Sequence, residues 1–153
     1  MFFDFIYKIV IIITNAVIFT GVVIAWKHLN SYQSDNELRK KQITIDFYHN
    51  MEKEFMKSIR VIRKEFPGDM PVDFTKVKEA ALENEITDYL NFMHNIATGI
   101  NEGIYDIELF DKMSGRFTIL WHKKLEGYLK HIKQDNPNLF DEYEELVKKL
   151  NQK

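Results

Sequence analysis

The chain has 153 residues, room for one domain and an anchor. A net charge of −2 gives no electrostatic basis for a dedicated nucleic-acid binder, and the absence of cysteine excludes disulfides, thiol catalysis and thiolate metal sites. Only six glycines and three prolines, against many Lys, Glu, Leu and Ile, favour an all-α chain over a sandwich or barrel.

From Ile9 to Trp26 there are 18 residues without a charge. With Phe5–Lys8 the run reaches the roughly 20 residues that cross a bilayer core. Tyr7 and Trp26 suit the two interfaces, where amphipathic rings settle. The run is longer than the apolar part of a cleaved signal peptide, and no A-x-A site follows it. Lys27, Arg39, Lys40 and Lys41 outweigh Lys8, which places the C-terminus in the cytoplasm and the chain at the cell (inner) membrane. The expected division is a transmembrane anchor over 1–28, a juxtamembrane helical connector over 29–46 and a cytoplasmic bundle over 47–153. Within the anchor, Thr14, Ile18, Gly21 and Ala25 share a stripe of mostly small residues beside Asn15. Small residues let two helices approach closely in lipid, so homo-oligomerisation through this stripe is an expectation.

No Gly or Pro lies between Gly21 and Phe66, so one helix could run from the membrane to the first loop. Ser34-x-x-Glu37 matches a capping box and would instead start a new helix there. From Phe47 the spacing of Met51, Phe55, Ile59 or Ile62, and Phe66 marks a core-facing helix, and Pro67-Gly68-Asp69-Met70-Pro71 ends it. Asp73 or Thr75 caps a short helix carrying Val77, Ala81 and Leu82. A helix over Tyr89–Gly103 follows, with Ile86, Leu90, Met93, Ala97 and Ile100 on one face. Gly103 suits a left-handed stop, Asp106 suits the N-cap of the next helix, and Gly99 permits a close helix contact or begins the stop. The next helix carries Leu109 or Phe110, Met113, Phe117, Leu120, Trp121, Leu125, Tyr128 and Ile132. Gly115 inside it implies close approach of a neighbouring helix. Asn136 and Pro137 cap and open the last helix, whose seam is Phe140, Tyr143, Val147 and Leu150. The expected fold is all-α: one transmembrane helix followed by a compact bundle of four to five helices.

Leu90-Asn91-Phe92, the stretch from Ala97 through Gly99 and Gly103 to Asp106, Trp121, and the tail Asn136-Pro-Asn-Leu-Phe140 with Tyr143-Glu-Glu-Leu resemble a bacterial and prophage family, domain of unknown function 4760. The resemblance implies a membrane helix leading into a helical domain, and no activity. His94 stands where that pattern suggests an acid, and Lys133 where it suggests an arginine.

Chemistry is sparse. Arg116 and His122 are similar in spacing to the arginine and histidine of helical ribonucleases of the HEPN class, where one steadies phosphate and the other moves a proton. Six steps along a helix turn about 240°, so the two do not share a face. His94 with Asp88 and Asn91, and His49 with Glu52, supply too few ligands for a metal. Trp121, Phe117, Tyr128 and Phe92 could line an aromatic or lipid pocket, but a stripe at this spacing reads first as core. Asp141-Glu142 and Glu144-Glu145 read as solvated surface. The expectation is an interaction or accessory factor of a prophage or its host, with no cofactor or metal, whose partners are the bilayer, a second copy and a further protein. The alternative is a ribonuclease or toxin acting through Arg116 and His122.

Overall fold

The computed structural model describes residues 2–152, and their side chains from Thr14 onward apart from those of Met51 and Glu54. The described residues form six α-helices and no strand: α1 (Phe2–Glu65), α2 (Phe74–Glu79), α3 (Glu83–Asn101), α4 (Ile107–Phe110), α5 (Arg116–Ile132) and α6 (Asp141–Asn151), with a π-helical turn, Asp111–Gly115, joining α4 to α5. The residues divide into two compact units, Met1–Arg39 and Lys40–Lys153. α1 is helical through Ser34–Glu37, so those residues do not start a new helix. Nothing in that stretch interrupts the backbone ladder, because it holds neither glycine nor proline.

In the first unit, Val17, Ile18, Phe19, Val22, Ile24 and Trp26 are all more than half exposed. The Thr20 hydroxyl donates to the Ala16 carbonyl at 2.8 Å, satisfying itself within the helix. Among the described residues no helix is long and apolar enough to cross a membrane. The first part of the expected anchor, through Ile13, lies outside the described side chains, as does the expected core residue Met51.

The second unit is built around α3. Its expected face is buried, and so are Tyr89, Phe92, Ile96 and Gly99 between those positions. Asn84, Thr87, Asp88, Asn91 and Asn95 form one exposed stripe, so α3 is an amphipathic helix packed on its other sides. α6 packs along α3, and α5 packs on α6 and α2. α1 reaches α3 through rings: Phe55 lies 4.3 Å from Phe92 and 5.6 Å from Tyr89 between centroids. Each such side chain contributes about 1.5–3 kcal/mol by leaving water.

The end of α3 is set by two glycines with different duties. Gly103 (φ +71°) takes the left-handed position, with its N–H donating to Ile100 C=O (3.0 Å) and Ile104 N–H to Gly99 C=O (2.8 Å). Gly99 leaves room for a ring, since a Cβ there would run into Cε2 and Cδ2 of Tyr105. The close contact at Gly99 is therefore with a tyrosine folded back from the loop. Tyr105 in turn rests 5.0 Å from Phe47 of α1. The chain then enters α4 through Asp106, whose carboxylate accepts from Leu109 N–H at 2.8 Å. Its own N–H donates to the hydroxyl of buried Thr44 at 2.8 Å, and that hydroxyl donates to Lys40 C=O.

Three local expectations change. Gly115 ends the π turn, and a Cβ there would meet the Asp111 carboxylate one turn back, not a neighbouring helix. Asn136–Leu139 form a separate turn (Leu139 N–H to Asn136 C=O, 3.1 Å), and α6 begins only at Asp141. Phe140 joins them in the left-handed region (φ +62°) with its ring buried. Ala81 leaves the helix face: it is exposed at φ +54° in the stop of α2, where Leu82 N–H bonds Val77 C=O. A left-handed alanine carries strain that glycine does not. Ala81→Gly should raise stability by about 0.5–1 kcal/mol in chemical denaturation, offset in part by the freer unfolded chain.

Candidate functional site

Three clefts of the second unit are lined by charged side chains. The one with the most chemistry lies between the end of α1, the loop after it and α5. On α5, Phe117, Leu120, Trp121 and Lys124 fall at i, i+3, i+4 and i+7 and therefore share a side. They line a cleft of about 380 Å³ together with Arg63, Lys123, Gly68, Asp69 and Pro71. The Arg63 guanidinium lies 5.7 Å from the Phe117 ring centre and 5.9 Å from that of Trp121, and the Lys124 ammonium lies 5.5 Å from Trp121. The electron-rich ring faces hold the cations in place.

Lys124 also fixes the loop. Its ammonium donates to the carbonyls of Phe66 and Gly68 (2.7 Å to the latter), and its own carbonyl accepts from Val72 N–H at 2.9 Å. Gly68 (φ +56°) permits the turn that brings these carbonyls inward. Burial, and then the neighbouring Arg63 charge, hold the Lys124 pKa below its ordinary value, while Asp69 acts against them.

A second cleft, of about 390 Å³, lies between α1 (Phe55, Ser58, Val61) and α3 (Glu85, Asp88, Asn91, Asn95). Its lining mixes the apolar Phe55, Val61 and Phe92 with Lys57 and the carboxylates of Glu85 and Asp88, and one buried oxygen of Glu85 has no partner. The third cleft holds His122, Glu126, Lys133 and Glu144. Lys133 bridges Asp141 (2.7 Å) and Glu144 (3.0 Å), tying the end of α5 to the start of α6. Burial alone would lower the Lys133 pKa, but hydrogen bonds to these two carboxylates raise it. The lysine thus makes a two-carboxylate contact where the resemblance suggests an arginine.

Leu90, Phe92, Ala97 and Gly99 are buried, Asn91 lines the α1–α3 cleft, Gly103 and Asp106 shape the α3–α4 turn, and Trp121 floors the cationic cleft. Phe117 shares that cleft, whereas Tyr128 is buried against Phe74. His94 is edge-on to Phe140 at 5.9 Å with a buried, unpartnered Nδ1. Thr14, Gly21 and Ala25 are exposed in the other unit. Arg116 is exposed at the start of α5, while His122 is half-buried with its ring 5.4 Å from Tyr143 of α6. The cleft that His122 lines does not include Arg116. Among the described residues no group of three potential metal ligands occurs. Arg63 and Lys124 drew no notice in the sequence because they lie far apart in the chain and converge only through the packing of the end of α1 against α5; the mixture of cations and rings on one α5 face was the available signal.

These features define an all-helical protein with a Trp-floored cationic cleft. The chain belongs to the family described as Domain of unknown function (DUF4760), whose model matches residues 15–150. No curated protein and no solved structure matches it.

Burial lowers the His122 pKa from its ordinary 6.5; Glu144 and then Glu126 act to raise it, and Lys133 lowers it further. Its Nε2 is buried without a partner, so a proton there has no acceptor in the protein. The unfolded chain therefore takes up this proton first as pH falls, and stability is lost below about pH 6.5. Thermal unfolding should shift down from about pH 7 to about pH 5 more in wild type than in His122→Gln, which lacks that titration.

Proposed function

We propose that the chain is a single-pass membrane-anchored interaction protein, an accessory factor of a prophage or its host, with its C-terminal unit in the cytoplasm. The observation that carries this reading is the uncharged run Ile9–Trp26, whose described large apolar side chains from Val17 to Trp26 are exposed. Residues 17, 18 and 19 alone point about 100° apart, so they cover several faces of α1. A protein partner covers one face of a helix; lipid covers all of them. Gly21, with nothing within 4 Å of a Cβ, leaves room on the stripe it shares with Thr14 and Ala25 for a second copy in the bilayer. Anchoring raises the local concentration of the bundle for a partner at the same membrane. Binding rather than catalysis is favoured by the separation of Arg116 from the His122 cleft. His122→Ala should accordingly leave cell growth and RNA integrity as in wild type.

The native chain has no cysteine, so the thiol introduced by Gln152→Cys is a unique label site. The protein should stay with membranes through alkaline carbonate washing, and a membrane-impermeant maleimide should label that thiol only after the cells are permeabilised. Release by carbonate, or labelling in intact cells, contradicts the reading.

A further inference from the structure

We propose that the cleft between the end of α1, the 66–72 loop and α5 binds a small molecule carrying a phosphate group on an aromatic or apolar body. The charge balance points to an anion. Arg63, Lys123 and Lys124 line the cleft against one carboxylate, Asp69. Among the described residues Arg63 contacts only ring faces, so the five N–H donors of its guanidinium remain for an oxyanion. Lys124 uses two of its three N–H donors on the loop carbonyls and keeps one. Fixing that ammonium beside Arg63 places two like charges together, and the lowered Lys124 pKa reflects burial first and then this repulsion. An anion between them relieves it.

The rest of the cleft indicates what the anion is attached to. Trp121 floors it, Phe117 is partly exposed, and Leu120 is 52% exposed at its edge. A ring or short apolar chain lies against this surface while its phosphate sits between Arg63 and Lys124, with Lys123 at the edge. A volume of about 380 Å³ falls in the range of small-molecule sites, about 300–1,000 Å³, and is small for a folded partner. The inference does not depend on membrane attachment and can fail or stand without it.

The chain has two tryptophans, so Trp26→Phe leaves Trp121 as the sole indole reporter. The full chain with this change, in a neutral detergent, is titrated with phenyl phosphate, inorganic phosphate and phenol, with sodium chloride at matched ionic strength. Phenyl phosphate should shift Trp121 emission saturably and bind more tightly than inorganic phosphate. Arg63→Gln should weaken it about tenfold, the loss expected for one charge-assisted contact. Lys123→Gln should weaken it less, and Asp69→Asn should tighten it. Arg63 and Lys123 are exposed, so these variants should keep the wild-type circular dichroism and melting temperature. The lipid source of the same anion is tested in phosphatidylcholine vesicles with and without phosphatidylglycerol. A phosphatidylglycerol-dependent shift that phenyl phosphate competes away supports the site. A shift that phenyl phosphate leaves in place overturns it. No saturable change with phenyl phosphate, an equal change with phenol or sodium chloride, or an Arg63→Gln variant that binds like wild type also overturns it.

Discussion

The second unit depends on how α3 ends. α3 is buried on all but one stripe, and the chain leaving it must turn sharply to pack back on the bundle. It does so by laying the Tyr105 ring on the bare α-carbon of Gly99, a contact that no residue with a Cβ permits. Tyr105 then wedges against Phe47, and the next N–H finds the hydroxyl of Thr44, so the turn is stitched to α1 at both points. The same end of α3 meets α6: Asn101 donates to the Glu142 carboxylate (2.5 Å) and accepts from Lys149 (2.8 Å). Elsewhere along α3, Tyr89 and Tyr143 share a buried hydroxyl contact of 3.2 Å, and burial raises both phenol pKa values. α1, α4 and α6 thus all meet at the C-terminal end of α3, and α1 and α6 also pack along its length.

What local rules govern was legible in the sequence. Apolar spacing picked out the buried face of α3, although the helix starts at Glu83 and not at Tyr89. Asp106, and Asp73 of the pair Asp73 or Thr75, are recognisable as caps, and Gly103 as a left-handed stop, because each depends on a few neighbouring residues. Features set by distant partners were hidden. Gly99 looked like a helix-contact or stop residue, and only the fold-back of Tyr105 shows what it accommodates. Phe140 gave no sign of a left-handed backbone, since bulky residues are rarely found there, and its ring is buried by partners distant in sequence. Gly115 was read as room for a neighbour, yet its space is taken by Asp111 on the same turn. The cationic cleft escaped for the same reason: Trp121 is core, as its spacing indicates, and Arg63 acquires meaning only through the packing of the end of α1 against α5.

The two halves of the functional reading rest on different physics. Attachment to a membrane is argued from apolar side chains left exposed around α1, a constraint of solvation. Recognition by the second unit is argued from cations held over aromatic rings, a constraint of charge. α3 supports the cleft through Tyr89, whose ring lies 5.3 Å from that of Trp121.

The Gly99–Tyr105 contact is tested most directly by a double-mutant cycle in chemical denaturation of the full chain. Gly99→Ala should cost about 1–3 kcal/mol when Tyr105 is present, because the ring must leave its seat. In a Tyr105→Ala background the same change should be neutral or stabilising by up to about 1 kcal/mol, as alanine is the better helix former. An equal loss in both backgrounds would mean that Gly99 answers to something other than the ring.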